Sequence, residues 1–347
     1  MSIRALFVVC ACGVSSFLIG CADDADGSAG KTGQCADADA DADAEGTGEG
    51  EGEGEGEGEG EGEGEGDDGS STLNLDNPTE NARAFARVRG SMNADDEVVY
   101  YWTGAIYNQV EADPYGEAVS DWGSPILRFE GFNIARFRNR GGGVYDMLTR
   151  EITVYQNMGG RIIDCWNNGA AGVEDREDVA VVHVQNDPVN FQVSGTDYVE
   201  VGDHISFSFE VQLAYESALT VDEYPDHSAG NTYQSMEMFN FYASRADLED
   251  DSQQSVPAHI SWTRVGQYLP WMKMGQTPGK LVYHAQGYKV MDGWDGLPED
   301  LKDWVLTNAP EYQHAPERWG SGENMTSWRY FDEIVRAGEY DGRCSDG

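Results

Sequence analysis

The chain has 347 residues, of which 39% are hydrophobic, and a formal charge of −41. Residues 22–70 hold 19 acids against one base, and the remainder is acidic as well. A field of this sign repels phosphate backbones, and no stripe of Lys or Arg overrides it locally, so nucleic acid is excluded as a partner and an anionic membrane surface is a poor one.

Taken in chain order, Met1-Ser2-Ile3-Arg4 precedes an apolar run over 5–19 that is too short to span a bilayer comfortably. Residues 1–20 therefore read as a signal peptide. The segment ends in Leu18-Ile19-Gly20-Cys21, which resembles a bacterial lipobox, and lipidation is expected at Cys21. Each buried acyl methylene contributes about 0.8 kcal/mol, so the lipid bilayer is an expected partner through Cys21. Ala22 rather than Asp after the cysteine places the expectation at the outer membrane or cell surface.

Asp and Ala alternate over 36–44 and Glu and Gly over 48–66, so neither run can bury anything. Residues 21–72 read as a lipidated, disordered acidic tether; its roughly 45 spacer residues reach at most about 150 Å when fully extended. Of six cysteines, Cys10 and Cys12 fall in the signal segment and Cys21 in the lipobox. Cys35, Cys165 and Cys344 remain, and three cannot all pair internally. Cys165 lies in an apolar run and reads first as a buried small hydrophobe; a bridge to Cys344 stays open, because sequence does not fix the Cα separation.

Residues 73–347 read as a single β-rich domain. Asn77-Pro78-Thr79-Glu80 opens a short helix, with Asn77 as cap, Pro78 at the first helical position and Glu80 at the reciprocal capping position; Gly90 ends it. Beyond Gly90 the hydrophobic period is two. Ile205, Phe207, Phe209, Val211, Leu213 and Tyr215 share one face against Ser206, Ser208, Glu210 and Gln212, the signature of a half-buried strand. Further strands are expected over 98–110, 127–137, 145–156, 161–166, 179–186, 233–243, 258–265 and 281–290. Turn residues such as Asn139-Arg140-Gly141-Gly142-Gly143 separate them, which favours antiparallel neighbours. About nine or ten strands must manage their edges, and the expected solution is a large antiparallel β-barrel, preferred over two stacked sheets. Helices over 298–306 and 327–337 close the chain.

Five stretches carry a family resemblance: Asn81 to Gly90 with Val99-Tyr100-Tyr101-Trp102-Thr103-Gly104; Phe129-Glu130-Gly131-Phe132-Asn133; Thr149-Arg150-Glu151; Val182-His183-Val184-Gln185-Asn186-Asp187-Pro188-Val189-Asn190; and Trp319-Gly320-Ser321-Gly322-Glu323 with Thr326 to Phe331. Together they resemble the bacterial family termed domain of unknown function 1838. The resemblance implies a recurring domain to which the tether is an addition, and it supplies no catalytic residues.

The candidate chemistry is therefore read from the residues. His183 on an apolar strand face is a candidate general base with Asp187 as orienter or acid, against the plainer reading of a hydrogen-bonded core histidine followed by a turn. Asn186, Trp262, Tyr268, Trp271 and His284 are candidate ligand-binding residues, with Met272 and Met274 beside them in a loop that either covers an apolar cavity or plugs the core. Arg87, Arg89, Arg136 and Arg150 are expected chiefly in internal ion pairs. No close His spacing suggests a metal, and no phosphate or dinucleotide motif suggests a cofactor. The leading expectation is a cell-envelope lipoprotein whose barrel binds an apolar or aromatic small molecule, with cofactor-independent acid–base catalysis as its enzymatic form. The alternative is a non-catalytic surface module that contacts protein or glycan.

Overall fold

A computed structural model describes residues 73–109, 123–172, 177–317 and 324–344. Helix α1 (Pro78–Arg89) starts at Asn77, whose side chain accepts from the amides of Thr79 and Glu80 at 2.9 and 3.4 Å. Glu80 turns to the amide of Asn74 at 3.0 Å instead of closing a reciprocal box with Asn77. Strands β1 (Val98–Gln109), β2 (Pro125–Gly141) and β3 (Val144–Gln156) follow as long antiparallel neighbours. Next come β4 (Cys165–Asn167), β5 (Asp178–Ala180), β6 (Val184–Val193), β7 (Asp197–Val201), β8 (His204–Glu216) and β9 (Thr232–Ser244). Helix α2 (Arg245–Glu249), β10 (His259–Gly266), β11 (Lys280–Val290), α3 (Glu299–Asn308) and α4 (Ser327–Ala337) complete the chain.

Nine strands form one antiparallel sheet in the order β6-β3-β2-β1-β11-β10-β9-β8-β7, and β4 pairs with β5 in a separate small sheet. The large sheet curls into a half-barrel whose edges stay 12 Å apart, so the expected closed β-barrel is corrected to an open one. The physical reason lies at the edges. β6 carries Pro188, which has no amide hydrogen to offer a further strand. After the turn at 194–196, β7 folds back against β8 rather than β6. Asn81 of α1 occupies that turn, donating to the Thr196 carbonyl at 3.0 Å and accepting from the Thr196 amide at 2.9 Å. A helix side chain thus satisfies the backbone of the turn between the two edge strands.

Two expected strands also change. The stretch 161–166 yields only β4 and a single bridge from Gln156 to Ile162. The stretch 179–186 divides into β5 and the start of β6, with Val181 to His183 between them. Cys165 is exposed rather than a buried hydrophobe, and it is disulfide-bonded to Cys344 with a Cα separation of 5.4 Å.

Both faces of the sheet are covered in part. On the convex side Val99, Phe132, Ile134, Ile152 and Val154 pack against Leu301 and Val305 of α3 and against Tyr312. On the concave side one apolar cluster gathers Phe85 of α1 with Tyr100, Phe207 and Phe241; a second gathers Trp328 and Phe331 of α4 with Ile106, Phe129 and Tyr283. Trp102 touches both clusters, so the layer at its level lies between two apolar plugs.

Candidate functional site

Strand alternation decides which side chains reach that layer. Trp102 on β1 stands opposite Gly131 on β2 and Gly287 on β11, two positions with no side chain. On β3, Glu151 is in phase with Thr153 and Tyr155; its register partners are Asn133 on β2 and Asn186 on β6. On the far side of the curl, Trp262 on β10 pairs with Phe239 on β9, and Arg264 pairs with Glu237. Trp262 contacts Phe129 edge-on at 5.9 Å, stacks on Phe239 at 6.3 Å and approaches Trp102 at 6.4 Å. The result is an aromatic-lined trough with two half-buried carboxylates, Glu151 and Glu237.

The two acids differ in their neighbours. Glu237 forms an ion pair with Arg264 Nε at 3.3 Å. Arg264 is itself held by a 2.7 Å hydrogen bond to the Tyr233 hydroxyl and lies over the rings of Tyr283 and Trp328. Burial raises the Glu237 pKa, and Arg264 works against that rise. Glu151 forms no ion pair among the described residues. Burial pushes its pKa up to about 7, the charge of Glu237 adds to the effect, and Arg89 and Asn186 oppose it. Burial thus raises both carboxyls, Glu237 against the opposing charge of Arg264 and Glu151 without an ion pair of its own.

Buried polar atoms in folded proteins are nearly always hydrogen-bonded. Here Trp102 Nε1, Asn133 Oδ1, Asn186 Oδ1 and Trp262 Nε1 have no partner in hydrogen-bond geometry, and Tyr283 Oη leans toward Tyr155 and Arg264 without completing a bond. The Trp262 indole leans toward Glu237 closely enough to lower that carboxyl's pKa without completing a bond. All five belong to the concave face, and Asn133 is only 4% exposed.

The residues singled out from sequence are dispersed. His183 sits between β5 and β6 and is buried; its Nδ1 accepts from the Tyr155 amide at 3.0 Å. The ring packs edge-on against Trp304 of α3 at 4.9 Å, and burial lowers its pKa to about 4. His183 also borders a cavity of about 10 Å³ with Trp271 and Phe331, space for at most a single water. Asp187 is engaged elsewhere: it pairs with Arg150 Nε at 2.8 Å, while Arg150 Nη1 donates to the carbonyls of Glu311 and His314. The two are not brought together as a base and its orienter. His284 is exposed on the convex face. Tyr268 is buried and donates to Asn108 Oδ1 at 2.7 Å, and Trp271 packs on Tyr155 and Trp166. Asn186 and Trp262 do line the trough. Asn133 and Glu151 stand in the sequence only within stretches of the family resemblance, and Glu237 and Arg264 carry no such mark; the signal for a site is a polar residue in phase with an apolar strand face, as Glu237 is with Phe239 and Phe241.

Elsewhere, a more open groove of about 590 Å³ on the convex side runs past Glu130, Gln156 and the start of α3. Glu130 at its edge is already satisfied by Tyr101 and Gln156 at 2.8 and 2.7 Å. Among the described residues no cluster of three or more His, Cys, Asp or Glu is arranged to hold a metal, and no helix is long and apolar enough to cross a membrane. Cys21 and the signal segment 1–20 lie outside the described residues. The lipoprotein and membrane expectation finds no support in the described structure, where the cysteine pair is an internal disulfide.

With the half-barrel and its trough in view, the class is that of an open, curled antiparallel sheet with buried aromatic clusters. The family model described as "Protein of unknown function (DUF1838)" matches residues 95–335, and the chain belongs to that family. No curated protein matches the chain. The matched span covers β1 to β11 and includes Glu151, Asn186, Glu237 and Trp262.

Proposed function

We propose that the concave trough binds an apolar or aromatic small molecule that carries at least one polar group, with acid–base catalysis independent of a cofactor as the enzymatic form of the same site. The observation that carries this reading is the set of unpartnered polar atoms between two apolar plugs. A buried donor or acceptor left unmade costs about 1–3 kcal/mol, so several on one concave face imply an occupant that completes them. Aromatic walls supply contact area, and a few fixed polar groups supply orientation. The alternative, a non-catalytic module contacting protein or glycan, calls for tryptophans displayed on an open face; none of the seven described tryptophans is exposed.

Native mass spectrometry of the full-length protein tests the reading. A small organic molecule is expected to co-purify with the wild type, and Trp262→Ala, which removes a trough wall, is expected to weaken its binding about tenfold or more. Absence of any ligand from several expression hosts, or binding indifferent to Trp262→Ala, would count against the trough.

A further inference from the structure

Glu151 stands apart from the other acids of the domain interior. Glu237 has Arg264, Asp187 has Arg150, and Glu130 accepts two hydrogen bonds. Glu151 is flanked instead by amides, Asn133 on one side of β3 and Asn186 on the other, each with an unpartnered oxygen. The charged groups that face it are Glu237 from β9 and Arg89 from α1. Arg89 lies over the Tyr100 ring, with Nη1 unpartnered. A glycine lets the indole close in on the sheet one same-face register step from this acid: a Cβ on Gly131 would fall 2.9 Å from Trp102 Nε1, 2.8 Å from Thr153 Oγ1 and closer still to the Ile152 carbonyl oxygen. An indole N–H with no acceptor therefore sits over Gly131, next to the residue two positions along β3 from Glu151.

Resting on the trough reading, we propose that Glu151 is the proton-transferring base of an isomerase site whose substrate is a small aromatic or unsaturated ketone, held against Trp102 and Trp262 with its carbonyl oxygen at an indole N–H. The step balances without a co-reactant. The C–H bond next to the carbonyl breaks, its proton passes to the Glu151 carboxylate, and its electron pair forms the enolate, whose oxygen gains charge at the indole donor. Glu151 then returns the proton to the same carbon or to the far end of the conjugated system, shifting the double bond. A carboxylate with a pKa near the working pH is suited to both halves of this transfer. Glu237, paired with Arg264, adds its charge to the burial that raises the Glu151 pKa.

The test uses full-length protein with 2-tetralone as the probe, binding read by tryptophan fluorescence and exchange of its α-hydrogens in D₂O read by proton NMR. The wild type is expected to accelerate exchange, with the rate rising as pH increases through about 7, because the base acts when ionised. Glu151→Gln is expected to slow exchange by roughly 100-fold or more while changing the binding constant less than about threefold. If Glu151→Gln does not fold, Glu151→Asp is expected to bind the probe, slow exchange about tenfold and shift the pH inflection. Wild-type protein that binds 2-tetralone but exchanges it no faster than Glu151→Gln, or than Glu151→Asp where that variant stands in, overturns the base assignment and leaves the trough reading intact. Failure of 2-tetralone to bind, while another ligand co-purifies and depends on Trp262, overturns the ketone class alone.

Discussion

Burial acts on His183 and Glu151 in ways that pH can read. The His183 ring accepts from the Tyr155 amide on the side of β3 where pairing with β6 has ended at Thr153 and Val184. The imidazole thereby takes the place of a missing ladder carbonyl, and protonation would remove that acceptor. Its folded value, about 4, lies below the ordinary 6.5, so its contribution is complete above 6.5 and is lost as pH falls through about 4. His183→Leu is expected to lower stability at pH 7 by about 2 kcal/mol in denaturant unfolding; an unchanged midpoint would show that the bond contributes nothing. Glu151 has the opposite sign. Its folded value is raised from 4.5 to about 7, so its favourable term is complete below the ordinary value and is lost as pH rises through 7. Glu151→Gln is expected to gain at pH 8 relative to pH 5, with a ceiling of about 3 kcal/mol that residual solvent access reduces. Thermal unfolding at the two pH values measures the difference.

At the scale of elements, α1 is held by more than its apolar stripe. Arg87 is buried and donates to the carbonyls of Gln253, Leu248, Asp247 and Asp250, which clamps α1 to α2 and the turn that follows it. Lys289 on β11 donates in turn to the carbonyls of Arg87 and Gly90 at 2.7 and 3.0 Å, close to the end of that helix. Arg87→Met keeps most of the volume but leaves several carbonyls without donors. A loss of about 3 kcal/mol or more is expected by chemical denaturation, and a loss under about 1 kcal/mol would refute the clamp. The ion pairs expected of Arg136 and Arg150 are present, with Glu97 and Asp187. Arg87 works through carbonyls instead, including those of Asp247 and Asp250, although Asp247, Asp250 and Asp251 all act on its charge. Element legibility followed burial. The strand at 280–290 buries alternate residues and that at 204–216 alternates apolar with polar side chains, whereas β7 buries almost nothing and has no rhythm to detect; β1 buries residues on both faces, Val99 on one and Tyr100 on the other. The run at 179–186 read as one strand because its apolar residues continue through the break before β6.

At the scale of the molecule, the Cys165–Cys344 bridge joins β4 to the chain beyond α4 across a separation of 179 residues. Cross-linking so long a loop restricts the unfolded chain, and replacing both cysteines with serine is expected to cost roughly 3–5 kcal/mol. Urea unfolding of the double variant against the oxidised wild type checks this; equal midpoints would mean that the bridge is incidental. The sequence alone determined the period-two pattern, the cap at Asn77, the closing helices, the family resemblance and the acidic character that disfavours nucleic acid. These are local or summed properties, readable from neighbours a few residues apart. Only the tertiary structure decided that the sheet curls without closing, that His183 and Asp187 face different partners, and that Glu151, Asn133 and Asn186 meet across three strands near Trp102. Those outcomes depend on register and on which edge a helix covers, relations between residues far apart in the chain that no short pattern encodes.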